Sequence, residues 1–202
     1  MLRQSNFALL VLCGLAAAST PLAAEHGRLK ATGGLVTIEG AAGGGLVPWA
    51  VMAGLSTNPG ADAVLGLSST QVDDFRLESI GLSASWNDRF ELSLGRQQFT
   101  IDRELLPAGI DHRIRQTVLG AKLRVAGDLI YGDLPQMALG LQYKHGDADA
   151  LAGTLGAIRT DDVEAYFSVT RLVLAGPFDR NLLLNGTLRA TRANETGLLG
   201  FG

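Results

Sequence analysis

The stretch Phe75–Phe99, FRLESIGLSASWNDRFELSLGRQQF, restricts the possible folds more than any other part of the chain. Ile80, Leu82, Ala84 and Trp86 share one parity, and Gly81, Ser83 and Ser85 share the other. Beyond Asn87-Asp88-Arg89, the large residues Phe90, Leu92 and Leu94 oppose Glu91, Ser93 and Gly95. Side chains alternate between faces along a strand, so each arm has one apolar face and one polar or small face. Asn and Asp tolerate the left-handed backbone of a tight turn. The stretch therefore predicts a β-hairpin. Its parity slips near Ser79 and Arg96, where bulges or exits from the buried zone are expected.

The rest of the chain repeats this unit. Two strands are expected around Leu35–Glu39 and Leu46–Ser56, joined by the glycine block Gly40–Gly45. Ala63–Gln71 reads as a third strand, and Asn58-Pro59-Gly60 and Val72-Asp73-Asp74 as turns. Arg113–Ala126, Gln136–Lys144, Val163–Thr170 and Leu184–Thr191 show the same alternation. Asp102–Asp111, with Pro107-Ala108-Gly109, and His145–Thr160 read as loops, and Gly176-Pro177-Phe178-Asp179 as a turn. About nine strands, each adjacent to the next, predict an antiparallel meander.

Periodicity fixes two faces without saying which one meets water. A soluble β-sandwich or barrel turns the apolar face inward. A membrane barrel turns it to lipid around a polar lumen, with strands of about 9–11 residues. Several runs here reach that length, which favours the membrane. Aromatic residues make up 6% of the chain, few for two girdles; Trp49, Trp86, Phe90, Phe99, Tyr143 and Phe167 are expected to form a partial belt.

The start of the chain agrees with an exported protein. Arg3 precedes the apolar run Phe7–Ala18, and Ser19-Thr20-Pro21-Leu22-Ala23-Ala24 offers small residues for cleavage after Ala24. Residues 1–24 thus read as a signal peptide, too short for a spanning helix of about 20 residues. Residues 25–202 read as one β-barrel domain. The single cysteine, Cys13, falls in the leader, so the mature domain has no disulfide framework. A net charge of −3 and the lack of a basic cluster in the sequence argue against nucleic acid as a partner.

The chemical motifs are weak. The glycine block lacks the Gly-Lys-Ser/Thr of a phosphate loop and reads as a flexible or tightly approached turn. His26, His112 and His145 are far apart, and neither Asp111-His112 nor His145-Gly146-Asp147 offers the converging ligands of a metal centre. Asp73-Asp74 and Asp161-Asp162 are acidic pairs expected in turns. Asn185-Gly186-Thr187 and Asn194-Glu195-Thr196 match a glycosylation pattern to which no role is given. Ser83, Ser85 and Ser93 fall on the inward face, but the Gly-x-Ser-x-Gly elbow of a hydrolase is missing. No cofactor, metal ligand or catalytic residue is therefore assigned.

What remains is the inward set Glu91, Lys122, Arg124, Lys144, Glu164 and Arg189. In a narrow barrel these side chains would interlock as ion pairs that fill the interior. In a wider one they would line a path that selects solutes by charge.

Gly34–Ala50, GLVTIEGAAGGGLVPWA, resembles a domain-of-unknown-function family of exported Gram-negative outer-membrane-type β-barrel proteins. Phe75–Ser79, Glu91–Leu94 and Thr191–Asn194 are similar to that family too, and the resemblance covers nearly the whole mature chain. It implies an outer-membrane barrel with no assigned activity. It also implies further strands beyond Gly202, so the chain is expected to be a C-terminally truncated member.

The fold expected is all-β: an antiparallel transmembrane β-barrel, or an incomplete barrel, of about nine meander strands. The expected function is a non-catalytic structural or passive small-solute and ion passage role in the outer membrane. The expected partners are outer-membrane lipid, barrel-assembly machinery and periplasmic chaperones. Two alternatives stay open, a serine hydrolase using a lumenal serine and a soluble periplasmic β-protein binding an apolar ligand.

Overall fold

A computed structural model describes residues 34–55, 60–102, 112–147 and 159–192. The leader, His26, Asn58-Pro59, the Pro107-Ala108-Gly109 loop with Asp111, residues 148–158 and the stretch from Ala193 with Asn194-Glu195-Thr196 lie outside the described residues.

The protein is all-β, built on a seven-stranded antiparallel meander that curls into a half-barrel. Two two-residue strands, β1 (Gly43–Gly44) and β2 (Val47–Pro48), pair only with each other. The wall then runs β3 (Ala61–Val72), β4 (Phe75–Trp86), β5 (Phe90–Ile101), β6 (Arg113–Ala126), β7 (Gln136–Gly146), β8 (Asp161–Val173) and β9 (Leu182–Ala190). Among the described residues each wall strand pairs with its sequence neighbour, and β3 and β9 are the edges. Among the described residues no helix is long and apolar enough to cross a membrane.

The hairpin that anchored the sequence reading forms as β4 and β5. Asn87 and Asp88 both take positive φ, 52° and 50°, and the Arg89 N–H closes the turn on Trp86 O at 3.0 Å. Asn87 also ties this turn to the start of β3, donating its N–H to Gly60 O at 2.7 Å. The β4–β5 register runs unbroken from Phe75↔Ile101 to Trp86↔Phe90. One register shift occurs in the β6–β7 pair, between Arg124 and Ala126.

The wall has an inverted polarity. Its buried face carries Ser83, Ser85, Glu91, Ser93, Lys122, Gln142, Lys144, Glu164, Ser168 and Thr170. Its exposed face carries Ile80, Leu82, Trp86, Phe90, Leu92, Leu94, Leu119, Leu139, Leu141, Val163, Leu184 and Leu188. Ordinary soluble sheets do the reverse, because burying apolar area is what drives their folding. Trp86, Phe90 and Tyr143 stand on the outward face as the belt requires, with Phe167 half-buried on it. Trp49 and Phe99 do not. Trp49 lies in the segment that fills the concave side, and Phe99 turns inward to stack on Phe75, ring centroids 5.8 Å apart.

Along the strands this polarity ends abruptly. Toward the β3–β4 turn, called here the Asp73 end, inward positions become apolar: Leu77, Phe99 and the buried Ile114. Outward positions there become Arg76, Glu78, Arg96, Gln98, Arg113 and Arg115. Because the β4–β5 register is continuous, the parity slips seen in the sequence are exits from the apolar zone, not bulges. The opposite, Asn87 end holds the β4–β5, β6–β7 and β8–β9 connections and the outward aromatics Tyr131 and Phe178.

Residues 34–55 depart from the two expected strands. They coil into a compact plug on the concave side of the wall, held internally by Thr37 N–H to Ala41 O, Ile38 N–H to Gly45 O and Gly43 N–H to Leu35 O at 2.8–2.9 Å. A glycine-rich sequence lacks side chains to define a face, so its backbone answers to tertiary partners instead of a strand ladder.

Candidate functional site: a plug clamped inside the half-barrel

The plug is mostly small and apolar: Ala41, Ala42, Ala50, Val51, Met52 and Ala53 are all buried. Outside its own turns, its backbone polar groups need partners from the wall, since unpaired buried N–H and C=O groups are costly. The inward polar face of the wall supplies them.

Glu91 on β5 accepts the Ala42 N–H at one oxygen (3.0 Å) and the Ala53 N–H at the other (2.9 Å). Lys122, its cross-strand neighbour on β6, lies 3.0 Å from Glu91 Oε2 and donates to Ala42 O (3.1 Å) and Trp49 O (3.2 Å). A lysine ammonium has three donors, and all three are used. Ser85 on β4 adds a donor to Ala53 O at 2.6 Å. On the far side, Ala50 donates to Thr170 Oγ1 (2.8 Å) and Gln136 Nε2 donates to Ala50 O (2.8 Å). Pro48 O receives both Ser168 Oγ (2.9 Å) and Thr187 Oγ1 (2.8 Å). The plug is thus held by β4, β5, β6, β7, β8 and β9 together.

A second cluster grips the side chain of Glu39. Lys144 on β7 pairs with Glu39 and, at 3.0 Å, with Glu164 on β8. Arg189 on β9 forks onto Glu39, with its two terminal nitrogens 3.1 and 2.8 Å from the two carboxylate oxygens, and reaches Glu164 at 3.2 Å. Thr191 donates to the other Glu164 oxygen at 2.5 Å. Burial opposes the charge on Glu39, but the Arg189 hydrogen bond and the nearby Lys144 and Arg189 charges outweigh it. They hold its carboxyl below the ordinary 4.5.

Close backbone approach completes the fit. Gly66, Gly81 and Gly95 are cross-strand partners on β3, β4 and β5. Val36 lies over the first two, and a Cβ at Gly95 would stand 2.4 Å from the Glu39 carbonyl. A Cβ at Gly40, which has φ +93°, would stand 2.6 Å from the Leu94 carbonyl. The glycine block is therefore a tightly approached segment, one of the two readings its sequence allowed.

The inward set from the sequence divides accordingly. Glu91 and Lys122 clamp the plug backbone, while Lys144, Glu164 and Arg189 join the Glu39 cluster. Arg124 stands apart, paired with Asp88 of the β4–β5 turn at the rim. Burial raises the Asp88 carboxyl above its ordinary range, and Arg124 opposes the shift. Glu39 and Asp88 were missing from the set. A signal for them existed: four inward cations against two inward acids leaves two charges to be answered, and these are the two acids that answer them.

The other motifs fall into place around the plug. Asp162 is not in a turn; it starts β8 and is buried facing inward, because that strand begins two residues earlier than its hydrophobic alternation does. Asn185 is part-buried and accepts from Thr170 Oγ1 at 2.7 Å, so Asn185 and Thr187 are inward lining while Gly186 faces outward. Ser83, Ser85 and Ser93 are all buried on the plug side, whereas His112 and His145 sit at the Asp73 end of the wall. Among the described residues no three His, Cys, Asp or Glu side chains come together as metal ligands.

The family described as "Protein of unknown function (DUF3034)" matches residues 32–202 of the chain. No curated protein and no solved structure matches it.

Proposed function

We propose that this chain, which belongs to that family of unknown function, is a non-catalytic wall of an outer-membrane β-barrel whose interior is occupied by its own plug. The observation that carries the reading is the inverted polarity: apolar side chains face outward while Glu91, Lys122, Lys144 and Glu164 are buried inside. Lipid accepts such an outer face, and only helices and closed β-structures satisfy their backbone in lipid. The edges β3 and β9 consequently need strand partners in the membrane, as parts of a closed assembly. The chain would reach that membrane through a cleaved leader, periplasmic chaperones and barrel-assembly machinery, as its first 24 residues suggest.

The plug favours the sealing role of the inward charges over the solute-passing one. Glu91, Lys122, Lys144 and Arg189 bond residues 34–55 directly and Glu164 braces Lys144 and Arg189, so together they seal the interior, and solutes pass only where the plug yields. A lumenal serine hydrolase is the weaker reading: Ser85 is committed to the plug backbone, and the described histidines, His112 and His145, lie at the Asp73 end of the wall.

The two tryptophans provide the test. Trp86 is outward and exposed, and Trp49 is in the plug. In vesicles with brominated acyl chains, a Trp49→Phe variant should lose most of its fluorescence to quenching, and a Trp86→Phe variant should keep it. Equal, weak quenching of both would favour the soluble alternative.

A further inference from the structure

We propose that the outward arginines at the Asp73 end, Arg76, Arg96, Arg113 and Arg115, form a docking surface for the phosphate groups of an anionic lipid leaflet. This inference rests on the membrane reading above and adds an orientation and a lipid class to it.

The four residues lie on three adjacent strands, β4, β5 and β6. The registers place Arg96 beside Ile80 and Thr117, Arg115 beside Gln98, and Arg113 beside Thr100, which in turn is beside Arg76. Neighbouring strands are about 4.8 Å apart and same-face residues about 7 Å apart, so the guanidinium groups share one patch. Arg76, Arg96 and Arg113 are exposed and Arg115 is half-buried. Glu78 is the one acid among the described outward residues of these strands.

The patch adjoins the apolar band directly. On β5 the outward sequence is Phe90, Leu92, Leu94 and then Arg96; on β4 it is Ile80, Glu78 and Arg76 going the other way. With strands tilted about 40°, two residues past the band rise about 5 Å and four about 10 Å. The headgroup zone on each side of a bilayer is about 5–7 Å deep, so the long arginine side chains span it. The band is also short. Ile80 to Trp86 is six residue steps, about 20 Å of strand and, at that tilt, about 15 Å of height, against the roughly 25 Å height of a full membrane band. Such a mismatch thins the bilayer locally and brings headgroups down to Arg96. Arginine forks match phosphate oxygens in pairs. Arg76 and Arg115 each lend one nitrogen to a glutamine at the neighbouring strand position, Gln71 at 3.1 Å and Gln98 at 3.0 Å, and a guanidinium has further donors to offer phosphate.

The test uses the full chain in vesicles of phosphatidylcholine alone or mixed with phosphatidylglycerol, followed by mild detergent extraction and native mass spectrometry of retained lipid. Wild type should retain phosphatidylglycerol in preference to phosphatidylcholine. Arg96→Gln with Arg115→Gln should reduce that preference by about fivefold per arginine removed. Arg96→Lys with Arg115→Lys keeps the charge and should keep most of the preference. If Trp86 is quenched by brominated lipid yet both lipids are retained equally, or the glutamine variant behaves as wild type, the arginine surface is refuted and the membrane reading stands. If Trp86 is unquenched in both vesicles, both are refuted.

Discussion

The two ends of β4, β5 and β6 solve opposite problems. From Ile80 to Trp86 and from Phe90 to Leu94, leucines and aromatics face outward while Ser83, Ser85, Glu91 and Ser93 face the plug. A few residues on, at the Asp73 end, Arg76, Arg96 and Arg115 face outward while Leu77, Phe99 and Ile114 pack inside. Strand geometry is unchanged across the boundary, so on the membrane reading proposed above the outer solvent is what changes. The Asp73 end is built like an ordinary soluble sheet. The rest is built for an apolar exterior, and its interior is then held by hydrogen bonds and ion pairs where a hydrophobic core would otherwise serve.

Glu91→Ala attacks the inner half hardest. It leaves Lys122 buried without its counter-ion and orphans the Ala42 and Ala53 N–H groups, at a cost of about 3–5 kcal/mol. Urea unfolding of the refolded protein should record the loss, and limited proteolysis should show new cuts within residues 34–55. Glu78→Ala, an exposed acid of the other end, should shift stability by no more than about 0.5 kcal/mol. Equal costs would erase the distinction between the two ends.

Leu92→Arg probes the outside. An arginine in the middle of a lipid-facing band costs about 2–4 kcal/mol, whereas Gln98→Arg, three rows along the same face, should be nearly neutral in vesicles. If both are neutral, the apolar band does not face lipid.

Gly95→Val tests close approach by the plug. Its Cβ would meet the Glu39 backbone at 2.4 Å, and backbone cannot swing aside as a side chain does, so about 1–3 kcal/mol should be lost. In a planar bilayer the displaced plug should raise conductance. Gly186→Val, with no atom within 4 Å of the added Cβ, is the matched control and should leave both readings unchanged.

The smallest effect is a pH dependence. Glu39 has its carboxyl depressed in the folded state, so the stabilisation it gives is complete above 4.5 and is lost as pH falls through the lower folded value. Protease protection of residues 34–55 should therefore hold at pH 5 and weaken only in stronger acid. Glu39→Gln should remove that acid dependence, and protection that already fails at pH 5 would contradict the assigned direction.

How far these features were legible in the sequence depended on range. The β4–β5 hairpin was legible because its alternation and its Asn87-Asp88 turn are local, and both formed as read. The inward parity of Glu91, Lys122, Lys144, Glu164 and Arg189 was legible for the same reason. The plug was not. Val36, Gly40 and Pro48 carry no periodicity that separates a strand from a coil, and the partners that define their path lie on other strands. Even the exits near Ser79 and Arg96 were visible only as broken alternation, and the continuous register was needed to separate an exit from a bulge.

The plug's position at the start of the chain sets an order of events. A growing chain makes residues 34–55 before any of the wall exists. Ala50 bonds Thr170 across 120 residues, Pro48 meets Thr187 across 139, and Glu39 meets Arg189 across 150. The wall strands close on their immediate neighbours, but these contacts are among the least local in the molecule, and folding slows as contacts lengthen. A segment made before the wall is thus seated in stages: β4 and β5 can meet it early through Ser85 and Glu91, but its last partners arrive only with β9.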